Sequence, residues 1–180
     1  MKYIYIITLF LVTYSSFSQD KKKDSLKFVN LIAEADKETD STMLFKAYEK
    51  VLLFSKEQNY DYGIYKSYSK MSLWKKSKFN SDSAISEYKK ILKILPENNT
   101  YRYRTIQLIG NESSKRSLYD SAIFYHTKFI KLGNKYSDKE KIATAYIAIG
   151  NIWNQTYDYD KAFKSYYAAD SICQNAPKLK

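Results

Sequence analysis

"YIAIGNIWNQTYDYDKAFKSYYAAD", Tyr146 to Asp170, is the stretch that decides the fold. Ile142, Ala145, Tyr146, Ile149 and Trp153 recur at the spacing of one helical face, and Ala162, Tyr166, Ala169 and Cys173 do so again further on. The polar segment "NQTYDYD" between them supplies a turn, so the pattern predicts two amphipathic helices folded as a hairpin. Asp158 is placed to cap the second helix, and Asp160 puts negative charge in its first turn, where the helix dipole favours it. "SDKE", Ser137 to Glu140, reads as a capping box that opens the first helix, and "SLYD", Ser117 to Asp120, as a similar box upstream. Gly150 and Ala162 predict close backbone contact between the two helices, with the stripe Tyr146, Ile149, Ala162 and Tyr166 buried together.

The hairpin recurs. Ala47, Ala84, Ala122 and Ala162 are spaced by 37, 38 and 40 residues, a period that signals stacked helical units. Around them one unit carries Leu31, Ala35 and Val51, the next Tyr68, Met71, Ser72, Tyr88 and Pro96, and the third Ile106, Ile109, Gly110, Ser113 and His126. The residues beyond a minimal repeat are expected in loops such as "LGNKYSDKE", Leu132 to Glu140. Only the last unit has a second small residue, Ala169; Phe54, Ile91 and Phe129 stand at that place in the others, which predicts looser packing between units.

Tyr146, Ile149, Gly150 and Trp153, followed by Ala162 and Tyr166, resemble the pattern W-x-x-L-G-x-x-Y and then A-x-x-x-F of the tetratricopeptide repeat (TPR). The resemblance implies an all-α, right-handed α-solenoid of about four TPR-like hairpins, eight helices in all. The units fall at about 28–61, 65–98, 103–136 and 143–176, with a lead-in at 19–27 and a tail at 177–180. It also implies a concave groove that holds a peptide or protein, lined by the first helix of each hairpin. By that analogy the groove residues are Lys66, Ser69 and Lys76, then Arg104, Gln107, Asn111 and Lys115, then Asn151 and Asn154. Such a set of cations and amides suits an extended backbone and acidic or C-terminal carboxylates.

The N-terminus precedes this fold. Lys2 is followed by the uncharged run "YIYIITLFLVTYSSFSQ", whose apolar centre, Tyr3 to Tyr14, has the length of a signal-peptide core and is too short for a typical spanning helix. Ser16 and Ser18 give the small-x-small pattern of a cleavage site, so residues 1–18 read as a signal peptide and the mature chain as starting at Gln19. That predicts export to the periplasm or the exterior, without stable membrane insertion after cleavage. The single cysteine, Cys173, forms no internal disulfide and stands far from the cleavage point, which excludes lipid anchoring there; it reads as a packed helical thiol.

Composition narrows the function. Net charge is +11, yet the basic residues are almost all lysines spread along the chain, with only Arg102 and Arg104 close together, so no nucleic-acid partner is expected. Nineteen tyrosines favour half-buried positions, where a ring packs and a hydroxyl reaches water. His126, the only histidine, falls on the apolar stripe and reads as packed rather than as a base or ligand. No catalytic constellation, metal site or glycine-rich nucleotide cradle is legible, and the sequence implies no cofactor and no enzyme. The aromatic clusters "YDYG", "YRYR" and "SYYAAD" read as core or hairpin edge.

The expectation is a protein-binding scaffold; the alternative is the sensor segment of a larger membrane-associated signalling or transcription-regulating protein. Residues after Cys173, "QNAPKLK", form no polar capping helix. The chain is then either a fragment, or its last hairpin docks on something, self-association included.

Overall fold

The computed structural model describes residues 25–79, 81–136 and 138–174. Residues 1–18, read as a signal peptide, the cleavage point at Gln19 and the tail 177–180 lie outside them. The described residues form eight helices and no strand: α1 (25–37), α2 (Ser41–Glu57), α3 (Asp61–Lys78), α4 (Ser81–Ile94), α5 (Thr100–Lys115), α6 (Tyr119–Tyr136), α7 (Lys139–Gln155) and α8 (Tyr159–Gln174). The fold is all-helical, and consecutive helices pack as hairpins. The chain divides into two compact units, Met1–Lys70 and Met71–Lys180, with the division inside α3.

In the first unit, Asp40 caps α2 by accepting from the Thr42 and Met43 amides at 2.9 and 2.8 Å. Ala35, Tyr48, Val51, Phe54, Ile64 and Tyr68 form the buried interior. Gly63 lets α3 come down on α2, because a Cβ there would sit 2.0 Å from Ser55 Oγ. Phe28 and Tyr60 close the edge with rings 5.2 Å apart.

In the second unit, the core is Tyr103, Ile106, Phe129 and Ala145, with Leu92, Tyr125, Ile130 and Leu132 around it. Tyr103 and Phe129 stack at 4.2 Å. Phe129 and Ile91, expected to loosen the packing, are fully buried, as Phe54 nearly is in the first unit. A large side chain at this position fills space that a small one would leave empty. Tyr48, Tyr68, Tyr88 and Tyr103 are buried too, rather than half-buried.

The turns depart from the sequence reading in an orderly way. Asn59, Ser117 and Tyr157 have φ of 54°, 57° and 63°, the left-handed conformation that ends a helix. In each, the following amide bonds five residues back: Tyr60 to Ser55 at 2.8 Å, Leu118 to Ser113 at 3.0 Å, Asp158 to Trp153 at 2.9 Å. Ser117 is therefore the stop signal of α5, not an N-cap, since an N-cap needs extended backbone. Asp158 does cap α8, accepting from the Lys161 amide at 3.2 Å.

At α7 the N-cap residue is Asp138, one place after the expected Ser137, which lies outside the described residues; the Asp138 carboxylate bonds Lys141 instead of a backbone amide. The residues expected as a loop at 132–136 extend α6, and Gly133 is pressed on α7, where a Cβ would meet Ile142 Cγ1 at 2.5 Å.

The small residues also do a different job from the one expected. Gly150 makes room for the Tyr166 ring, which a Cβ would meet at 2.5 Å, and Gly110 does the same for the His126 ring at 3.0 Å. Glycine thus faces an aromatic ring, not the alanine of the partner helix. Of the four stripe residues, Ile149 and Ala162 are buried, Tyr146 is half-buried and Tyr166 is 36% exposed. Cys173 is exposed rather than packed. Both lie on α8, over which no further helix packs among the described residues.

Candidate peptide-binding face

Lysine is the commonest charge in this chain, and the structure shows what three groups of lysines do. In the first unit Asp36 accepts from Lys66 and from the Tyr48 hydroxyl, with Lys70 at 3.5 Å. In the second unit Glu87 is gripped by Lys75 and by Lys90 at 2.7 Å, both on Oε1. Glu112 takes Lys76 at 2.7 Å and Lys115 at 2.9 Å. Glu87 is only 1% exposed, and its Oε2 is buried with no hydrogen-bond partner among the described residues.

Burial alone would push these three carboxyls up. The bonds and charges of their lysines prevail and hold each below its ordinary range. Tyr48 is pushed up by its burial and by its bond to Asp36. Sequence reading assigned no role to these three acids. The signal it missed is their mid-helix register: Glu87 and Glu112 each stand three residues before a lysine, and Glu87 three residues after the buried Ala84.

These pairs change the chemistry of the expected groove. Lys66 is committed to Asp36, and Lys76 and Lys115 to the buried Glu112, so all three offer little net charge to a ligand. Ser69 is half-buried, its Oγ without a hydrogen-bond partner among the described residues. Arg104 is an exposed cation on α5 outside these pairs, its guanidinium 6.0 Å from the Tyr101 ring.

Arg104, Gln107, Asn111 and Lys115 share one face of α5 at i, i+3, i+7 and i+11. On α7, which touches α5 directly, Asn151 and Asn154 are exposed, and Asn151 Oδ1 accepts from the Tyr166 hydroxyl at 2.8 Å, which leaves the amide nitrogen to donate. Sequence reasoning missed two apolar members in the same register within this unit, the exposed Leu73 of α3 and Ile147 of α7. The face of the second unit is therefore one arginine, a row of amides and two apolar spots.

His126 is buried at 1% exposure with Nε2 3.2 Å from Ser114 Oγ, and burial pushes its pKa down to about 4. It sits beneath the Gly110 backbone as a neutral packed ring. Among the described residues no group of three or more His, Cys, Asp or Glu is placed to hold a metal ion, and no helix is long and apolar enough to cross a membrane.

No protein-family model matches the chain, and no curated protein matches it. Among solved structures it is similar to BtubC (BKLC) from P. vanneervenii, with a TM-score of 0.61 and 14% identity. The match covers 78% of this chain and 61% of that one, so the chain spans about three fifths of the length of the structure it resembles. At that identity the likeness carries the helical architecture alone.

Proposed function

We propose that the chain is a non-catalytic scaffold of the tetratricopeptide type that holds an extended, acidic segment of a partner protein. One observation supports this most: α5 and α7 touch each other and expose Arg104, Asn111 and Asn151 in one register of the repeat. Asparagine side chains pair with both the N–H and the C=O of an extended backbone, while arginine takes a carboxylate in a fork. Leu73 and Ile147 suit an apolar side chain of the same segment.

The face would select through chemistry rather than bulk charge, because the lysines nearest to it are already paired. Arg104 would set the association rate and the choice of acid, with a contribution that weakens as salt screens it over about 8 Å at physiological strength. The experiment is binding of the chain to an array of acidic and C-terminal peptides, followed by Arg104→Glu and Asn151→Ala. Binding should fall in both variants with helicity unchanged, and peptides that bind both variants undiminished would refute this assignment.

The apolar run at 3–14 and the Ser16/Ser18 pair support a role outside the cytoplasm, with the mature chain starting at Gln19 in the periplasm or exterior.

A further inference from the structure

The repeat provides its own standard for what each helical face should meet. In α7 the residues Ile142, Ala145, Ile149 and Ile152 form one buried face, and Ile142 lies over Gly133 of α6. The same register holds Arg102, Thr105, Ile109 and Glu112 in α5, and Ile64, Ser67, Met71 and Trp74 in α3, all buried or half-buried. In α1 it holds Lys27, Asn30, Glu34 and Lys37, all exposed. The first helix thus presents a polar face where the others are covered.

The last helix does the opposite. In α6 the register Tyr119, Ile123, Thr127 and Ile130 is half-buried. Forty residues on, the same positions of α8 are Tyr159, Phe163, Tyr167 and Asp170, and the three aromatics are 62%, 70% and 67% exposed. Tyr166 follows the trend at 36%, where its counterpart His126 is 1% exposed. An apolar face has been kept, and enlarged with aromatic rings, at a place where a helix face that met only water would carry polar residues.

We propose that this face of α8 joins two copies of the chain across a two-fold axis near Phe163. Four observations select a second copy. Tyr159, Phe163 and Tyr167 are evenly spaced by four, so the stripe reads the same in both directions: antiparallel pairing sets Phe163 on Phe163 and Tyr159 on Tyr167, as a self-complementary interface requires. The stripe holds no lysine although each copy carries +11; Lys161 and Lys164 lie on another side of the helix, and Lys161 is drawn to the Trp153 ring at 4.3 Å. In this register α1 is polar, and its exposed Leu26 and Val29 lie outside it, so α8 finds no matching stripe there, which disfavours head-to-tail stacking. Finally, the four aromatics with the flanking Tyr157 can bury about 600 Å² per copy, near the lower edge for a specific interface, which suits a micromolar dimer. This inference does not rest on the peptide-binding face of α5 and α7.

The test is sedimentation equilibrium of the full chain from about 1 to 200 μM, concentrations that bracket a micromolar dissociation constant. A monomer–dimer equilibrium is expected, weakened at least about tenfold by Phe163→Glu with helicity unchanged. In a Cys173→Ser background, Phe163→Cys should oxidise to a symmetric disulfide dimer, while Lys164→Cys, turned to another side, should not. A chain that stays monomeric throughout leaves this face to a helix of a different protein and overturns the proposal. So does an open-ended series of oligomers, or a dimer that persists in Phe163→Glu, which would place association elsewhere, the apolar run at 3–14 included.

Discussion

Changing Lys75 and Lys90 together to Met should strand the Glu87 carboxylate in the second unit, and the size of the effect can be bounded. Glu87 is 1% exposed, both lysines bond its Oε1, and its Oε2 has no hydrogen-bond partner among the described residues, so nothing described replaces the two cations if they go. A buried charge left uncompensated costs about 3 to 5 kcal/mol. The carboxyl can escape part of that by binding a proton, and at pH 7 neutralising a group with an unfolded pKa of about 4.3 costs about 4 kcal/mol, which sets the ceiling.

Each single change should cost about 1 kcal/mol, because one lysine remains, so the double change exceeds the sum. The sign with pH is distinctive. In the native chain the folded pKa of Glu87 is lowered, so its contribution is present above the unfolded pKa and lost as pH falls through the folded one. In the double variant the folded pKa is raised, and the deficit against the native chain should shrink to about 1 kcal/mol at pH 5, where protonation is cheap. Adding Glu87→Met should restore most of the loss, since the buried acid is then gone. Urea denaturation followed by circular dichroism at pH 7 and pH 5 measures all of this. Additive single changes, or a deficit that grows on acidification, would show that the three groups do not act as one buried unit.

His126 should add a pH dependence of its own, shared by the native chain and the Glu87-site variants. Its folded pKa of about 4 lies below the unfolded value near 6.5, so stability should drop by about 3 kcal/mol as pH falls between them, and His126→Leu should flatten that slope in the same denaturation assay. Ser117→Gly should stabilise by about 1 kcal/mol, raising Tm by about 2–4 °C, because it relieves a non-glycine residue at φ 57°; a cap role would make the same change destabilising. Intact-mass spectrometry of the natively expressed protein should find Gln19 at its N-terminus in a non-cytoplasmic fraction, and Met1 retained in the cytoplasm would overturn the export reading.

The helices were legible because their apolar period is strong and local. Ala47, Ala84, Ala122 and Ala162 marked four hairpins, and the polar run before Asp158 marked the turn into α8. What failed was chemistry that depends on the third dimension. Ser117 looks like a cap in sequence, and only its positive φ shows it to be a helix stop. Gly150 and Ala162 are both small, yet only the packing shows that the glycine clears a tyrosine ring. The lysine-bound acids were hidden for a related reason: Lys75 and Lys76 are adjacent in sequence, but one turns to Glu87 and the other to Glu112. A row of lysines that reads as a basic face is therefore largely neutralised, and the exposed members of the candidate site outside those ion pairs are Arg104, Asn111, Asn151 and Asn154.

The most direct measurement of the binding claim is hydrogen exchange of the chain with and without an acidic peptide selected from the array. Because a bound segment shields the helices it lies on and raises the cost of their local opening, α5 and α7 should gain protection around Arg104–Asn111 and Ile147–Asn154. Arg104→Glu should abolish that gain. Protection confined to α4, α6 and α8, unaffected by Arg104→Glu, would contradict the account and move the ligand to the second helices of the hairpins.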